Sequence, residues 1–241
     1  MIYEIGSNGL DNEENDTYID GVTQIIRNNI DKKLKNIYFN IQNDEIIIRN
    51  IKNIKSIREK EITQLIKCEI SDYMPIDLQK YVIKYKKIIN TKKNKSIQGI
   101  LFPKKYVSIC KSISEKLKIK KQYLYINFDI LQKLIDLKVI DLSKSDDDKV
   151  TIIENRDNIM ILNTVLNKNI IESHVVDKGN SKYFINQFLP EGNVYYYGIS
   201  DDFIESLGVK KLHIENKLIL NNNEEIIDIT LDYLPAWGMI I

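Results

Sequence analysis

The chain has 241 residues, long enough for one large domain or two small ones with a sizeable core. Thirty-five basic and thirty-four acidic side chains leave a net charge of +1, so no global field favours nucleic acid or an anionic membrane surface. No run approaches the roughly 18 to 20 apolar residues of a membrane span, and no signal-type segment follows Met1. Cys68 and Cys110 form no CxxC, which predicts a soluble chain with two buried thiols in a reducing compartment.

The first stretch, "IYEIGSNGL" (2–10), combines a strand-like run, an acid at Glu4 and then Gly6, Ser7 and Gly9, the composition of a phosphate-type loop and equally of a common turn. From Asp20 the apolar residues Val22, Ile25, Ile26, Ile30 and Leu34 recur at three and four, predicting an amphipathic helix. "IYFNI" (37–41) and "EIIIRNI" (45–51) are β-rich runs separated by Asn43 and Asp44, a hairpin signal. Ser56 and Glu59 form a capping box for a helix whose buried face is Ile62, Leu65, Ile66, Glu69, Ile70 and Tyr73, stopped by Pro75.

"YVIKYKKII" (81–89) and "SIQGILF" (96–102) read as strands around the basic turn Thr91–Lys95. Pro103 opens a helix with Val107, Cys110, Ile113 and Leu117 inward. "QYLYINF" (122–128) is a strand, and 129–137 a helix with the stripe Ile130, Leu131, Leu134 and Ile135. After the acidic turn Asp146–Asp148 come "KVTIIEN", "NIMILNTVL" and "NIIESHVV", an antiparallel meander. "SKYFINQFL" is a helix candidate, "NVYYYGI" a buried strand, and "SDDFIESLG" a helix capped by Ser200 and closed by Gly208. The class is α/β, and the units 45–89 and 96–127 share a strand-helix-strand pattern without a repeat at fixed spacing.

The run from Ile57 to Ile88, then "GILFPKKYVSICKSISEKLKIKKQYLYINFDILQKLI", resembles the PilM family of type IV pilus assembly proteins, which look like FtsA and share its actin-like fold. The features that carry it are Glu69 late in the helix, the Tyr73-Met74-Pro75-Ile76 stop, the "YVIKY" strand and the strand entering "PKKYV". Later, "VYYYGISDDFIESLG" and the terminal "PAWGMII" resemble the family's last strand, loop and helices. The ordered set is more specific than any member. The resemblance implies a shortened actin-like fold: a partial first lobe over 1–37, an inserted strand-helix-strand subdomain over 38–128, and the remaining lobes over 129–241.

It also implies a scaffold at the cytoplasmic face of the inner membrane that docks the N-terminal tail of a PilN-like membrane protein in a groove beside the insert, linking it to the assembly ATPase. Main-chain pairing along a strand edge and apolar anchors in pockets are the expected mode. The contact surface is placed between Ile46 and Pro75, on Ile46, Ile48, Tyr73, Met74 and Pro75. The last three sit at a helix end, where apolar residues either plug the domain or present a groove.

Actin-like ATPases hold Mg-ATP on three loops, for which this chain's counterparts are Gly6, Ser7 and Gly9, then Glu154-Asn155-Arg156, then Gly198-Ile199-Ser200. The first has Glu4 where the family has Asp, and the eight residues Leu10–Thr17, all polar but Leu10, leave no room for two further strands. The second lacks the glycine that lets backbone approach phosphate, and Ile199 narrows the third. A pared-down chain without nucleotide or other cofactor, and without enzymatic activity, is expected. The alternatives are an ATPase binding Mg-ATP through Gly6, Ser7, Gly9, Gly198 and Ser200, and the cytoplasmic part of a GspL-like type II secretion protein with a membrane span beyond Ile241.

Other chemistry is sparse. His174 and His213 lie apart in strand-like runs and form no metal pair. Asp201 and Asp202 open a helix, where carboxylates favour the dipole. Lys84, Lys86, Lys87, Lys92, Lys93 and Lys95 read as a solvated strand edge. Lys116–Lys121 lack the interleaved exposed aromatics of a nucleic-acid site, so no nucleic-acid partner is expected.

Overall fold

The computed structural model describes residues 15–30, 34–52, 54, 58–90, 95–142, 149–180, 193–214, 217–220, 225–228 and 234–240. The loop Gly6–Gly9, the acidic turn 146–148 and the helix candidate 181–189 lie outside them. Helix α1 (Asn15–Asn29) starts five residues before Asp20, because Ile19 extends the stripe of Val22 and Ile26, and all three are buried. Ile25, expected inward, is exposed.

Strands β1 (Asn36–Ile41) and β2 (Ile47–Ile51) do not form the predicted hairpin. β1 pairs in parallel with β5 (Lys121–Ile126), and β2 pairs antiparallel with β4 (Lys95–Pro103). The intervening residues are tied to the next helix instead of to each other. Lys105 Nζ lies 2.6 Å from Glu45 Oε1, Tyr106 Oη donates to Glu45 at 2.7 Å, and Asn43 Nδ2 donates to Tyr106 Oη. A turn signal says that the chain reverses, not which strand each arm meets.

Helix α2 (Glu59–Tyr73) is capped by Glu61, whose carboxylate accepts the Arg58 N–H at 3.0 Å, and Ser56 of the expected capping box lies outside the described residues. Its buried face, Ile62, Ile66 and Ile70, lies on the three-stranded sheet β2-β4-β3, with β3 spanning Tyr81–Asn90. Glycine at position 99 permits that approach, since a Cβ there would stand 2.9 Å from Ile66 Cγ2. Helix α3 (Lys104–Lys116) buries Tyr106, Ile109, Cys110 and Ile113, while Val107 turns outward. Burial pushes the Cys110 thiol up to about 12. Cys68, expected to be buried, is exposed on α2.

Helix α4 (Asn127–Asp136) buries the predicted stripe against the main sheet. That sheet has the order β10-β9-β6-β7-β8, with β6 (Lys149–Asn155), β7 (Ile159–Leu166) and β8 (Asn169–Asp177) forming the predicted meander. Asn167 and Lys168 both have positive φ, the geometry of a two-residue type I′ turn. β9 (Asn193–Gly198) returns parallel to β6, and β10 (Lys210–Lys211) pairs with β9. Helix α5 (Asp202–Ser206) takes its cap from Asp201, not Ser200: Asp201 Oδ1 accepts the Ile204 N–H at 3.0 Å. β11 (Lys217–Leu220) and β12 (Glu225–Asp228) form a hairpin, and helix α6 (Leu234–Ile240) packs on α4. No helix among the described residues is long and apolar enough to cross a membrane.

Candidate partner-docking site

Parallel pairing brings the carboxyl ends of β6 and β9 side by side, which places Glu154-Asn155-Arg156 next to Gly198-Ile199-Ser200. In an open α/β sheet this edge is where ligands gather. Here its positions are taken by side chains. Glu154 is buried, and its two carboxylate oxygens are saturated: Arg156 donates to Oε1 from Nε at 2.6 Å with its second nitrogen at 2.5 Å, while Asn127 Nδ2 and Tyr197 Oη each donate to Oε2 at 2.5 Å. Burial, reinforced by the Glu154 charge, drives the Tyr197 phenol well above its ordinary pKa, so it stays a donor.

Beside it, Asn155 Nδ2 donates to the Ile199 carbonyl at 2.7 Å and to Asp201 Oδ2 at 3.1 Å, and Lys178 Nζ reaches the same Asp201 oxygen at 2.6 Å. Partial desolvation pushes the Asp201 carboxyl up, but the bonds from Lys178, the Ile204 N–H and Asn155 outweigh it and hold the group at about 2. Gly198 has φ +91°, and a Cβ there would stand 2.3 Å from the Asn155 carbonyl oxygen, so its own neighbouring strand accounts for the glycine. Ser200 Oγ lies 3.4 Å from Tyr196 Oη and from Glu205 Oε1. Gly6, Ser7 and Gly9 fall outside the described residues.

The residues expected to meet a partner divide between core and surface. Ile46 is buried with α1 and α3, and Ile48 is half-buried between two clusters, so both support the surface from beneath rather than forming it. Tyr73 is 66% exposed and Met74 43%, with Pro75 exposed beside them. Arg49 on β2 joins them: its guanidinium stands 4.4 Å from the Tyr73 ring centre, a cation–π contact that ties the helix end to the strand. The result is an exposed apolar corner at the end of α2, next to the outward face of β2.

A second feature fixes that corner to the main sheet. β8 carries a bulge at Ile171, opposite Thr164 and Val165, which turns main-chain oxygens toward the three-stranded sheet. Gln98 Nε2 donates to Ile170 O at 3.1 Å and lies 3.2 Å from Asn50 Oδ1, and Asn50 Nδ2 donates to Ile171 O. The sequence signal for both polar centres was a polar residue inside an apolar strand, Glu154 in "KVTIIEN" and Gln98 in "SIQGILF". Neither was read as structural. Among the described residues no three His, Cys, Asp or Glu side chains gather as a metal site, and His174 instead faces Glu172 at 4.0 Å.

No family model and no curated protein matches this chain. Solved structures do. A structure of a PilM-PilN type IV pilus biogenesis complex matches 98% of this chain and 88% of its own, with TM-score 0.64 at 12% identity. The cytoplasmic domain of EpsL, an inner membrane component of the type II secretion system of Vibrio cholerae, matches 92% of this chain and 80% of its own, with TM-score 0.53 at 7% identity. A protein of unknown function with an actin-like ATPase fold, from Bacteroides thetaiotaomicron, matches 78% and 71% with TM-score 0.47 at 11% identity. Identities this low concern the fold alone. The chain has a mixed α/β fold like that of the PilM-PilN structure.

Proposed function

We propose that the chain is a scaffold of a type IV pilus machine, held at the cytoplasmic face of the inner membrane by docking the N-terminal tail of a PilN-like membrane protein and coupling it to the assembly ATPase. The observation that carries this reading is the likeness to the PilM-PilN complex over nearly the whole chain. The corner formed by Tyr73, Met74 and Pro75 against Arg49 is the surface proposed for the tail. Its exposed aromatic and thioether groups offer apolar surface to a tail's anchors, and Tyr73, 66% exposed, has area to lose.

The docking role is read as non-catalytic and cofactor-free. In support, the carboxylate at the sheet edge is committed to three partner side chains, and Gly198 is required by its own backbone neighbour. Isothermal titration with a synthetic PilN-type tail tests the proposal: saturable binding, weakened about tenfold or more by Tyr73→Ala, is expected for a buried aromatic anchor. Absence of binding rejects it. Titration with Mg-ATP tests the nucleotide-binding alternative, and tight binding there would replace the cofactor-free reading.

A second reading draws on the EpsL likeness. A cytoplasmic domain of a GspL-like secretion protein would be followed by a membrane span in the same reading frame, and sequencing past the codon for Ile241 separates the two.

A further inference from the structure

We propose that the amino-terminal ends of β1 and β5 form a peripheral contact for an anionic lipid surface. The parallel register sets Asn36 beside Lys121 and Tyr38 beside Tyr123, so the two strands begin together. Around that start stand Lys35, Lys118, Lys120 and Lys121, all exposed and without an ion pair among the described residues. The first four residues of β5, Lys121 to Leu124, are exposed on both faces of the strand. Tyr38 and Tyr123 share one face of this pair, whereas on the other face Gln122 Oε1 accepts the Ser114 hydroxyl of α3 at 2.8 Å.

The side chains favour a lipid over the other polyanions. Tyr38 and Tyr123 stack on each other, with centres 4.9 Å apart and planes within 12°. Their facing surfaces are spent on that contact, whereas nucleic-acid bases need open ring faces to stack on. What remains outward is ring edge, phenol hydroxyl and ammonium groups on long stems, the set that sits at headgroup depth while the charges meet anionic phosphates. The near-neutral net charge of the chain makes this a local property of one surface.

The inference is independent of tail docking, because its test uses the chain alone. Co-sedimentation is measured with phosphatidylcholine vesicles with or without about 30% phosphatidylserine. Binding to the anionic vesicles only is expected, falling steeply when salt is raised from about 0.1 M to about 0.5 M. Lys120→Glu with Lys121→Glu should weaken it about tenfold or more and Tyr123→Ser severalfold. Lys84→Glu with Lys87→Glu, on exposed positions of β3, should leave it unchanged. Near-ultraviolet circular dichroism checks that each variant keeps its packing. No binding to anionic vesicles overturns the proposal, as does equal loss in both double variants. So does tighter binding of a thymidine oligonucleotide through the same lysines.

Discussion

At the carboxyl ends of β6 and β9 the molecule buries a charge, whereas at the junction of β8 with the three-stranded sheet it buries only neutral amides. Glu154 receives Arg156, Asn127 and Tyr197 together. Gln98 and Asn50 meet the carbonyls that a bulge in β8 turns toward them. A buried carboxylate is tolerable only with every lone pair engaged, while an amide seam can lose a bond and keep the rest. The first arrangement should therefore behave as one cooperative unit, and the second as a separable clamp between two sheets.

The largest effect that would separate the two is Glu154→Ala, which removes the buried acceptor shared by Asn127, Tyr197 and Arg156. It should cost about 3–5 kcal/mol, read as a fall of roughly 10 °C in Tm. A loss below about 1 kcal/mol would show that the charge is not a cooperative centre. Gln98→Ala should cost about 1–3 kcal/mol, because the Ile170 carbonyl loses its donor. Hydrogen exchange should accelerate in β2, β3 and α2 before the main sheet opens, and uniform acceleration would refute the clamp. Tyr197→Phe removes one donor from the buried carboxylate, so about 1.5–3 kcal/mol is expected by urea unfolding.

The smallest effect is the pH dependence at Asp201. Its folded pKa, about 2, lies below the usual unfolded value of about 3.9, so its contribution is full above about pH 4 and is lost as pH falls toward about 2. The group borders solvent, and screening keeps the contribution at about 1 kcal/mol or less. Comparing acid unfolding of the native chain with Asp201→Asn should show curves that converge between about pH 4 and about pH 2. Parallel curves through that window would place the acid sensitivity elsewhere.

Much of the local structure was legible. The stripe Ile62, Ile66 and Ile70 forms α2, and Ile130, Leu131, Leu134 and Ile135 form α4, because helical spacing is written in neighbouring residues. The three runs after residue 148 pair as a meander because short polar turns leave adjacent strands little choice. The corner at the end of α2 was only partly legible: Tyr73, placed on the buried face of the helix, is exposed because it sits in the last turn, past the sheet that covers Ile62, Ile66 and Ile70, and which of Ile46 and Ile48 turns inward could not be chosen locally. Cys68 was misread for a related reason: an apolar residue beside a helical stripe need not lie within it.

The sequence by itself determined the α/β class and most helices and strands up to residue 206, because these depend on patterns a few residues long, and its ordered motifs carried the resemblance that implied a PilM-like fold. Only the tertiary structure decided that β1 joins β5 instead of β2, that Glu154 and Gln98 serve as internal polar joints, and that Tyr38 stacks on Tyr123. Each of those results depends on which distant segments meet, and a buried polar group is settled only when the donors that surround it in space are known.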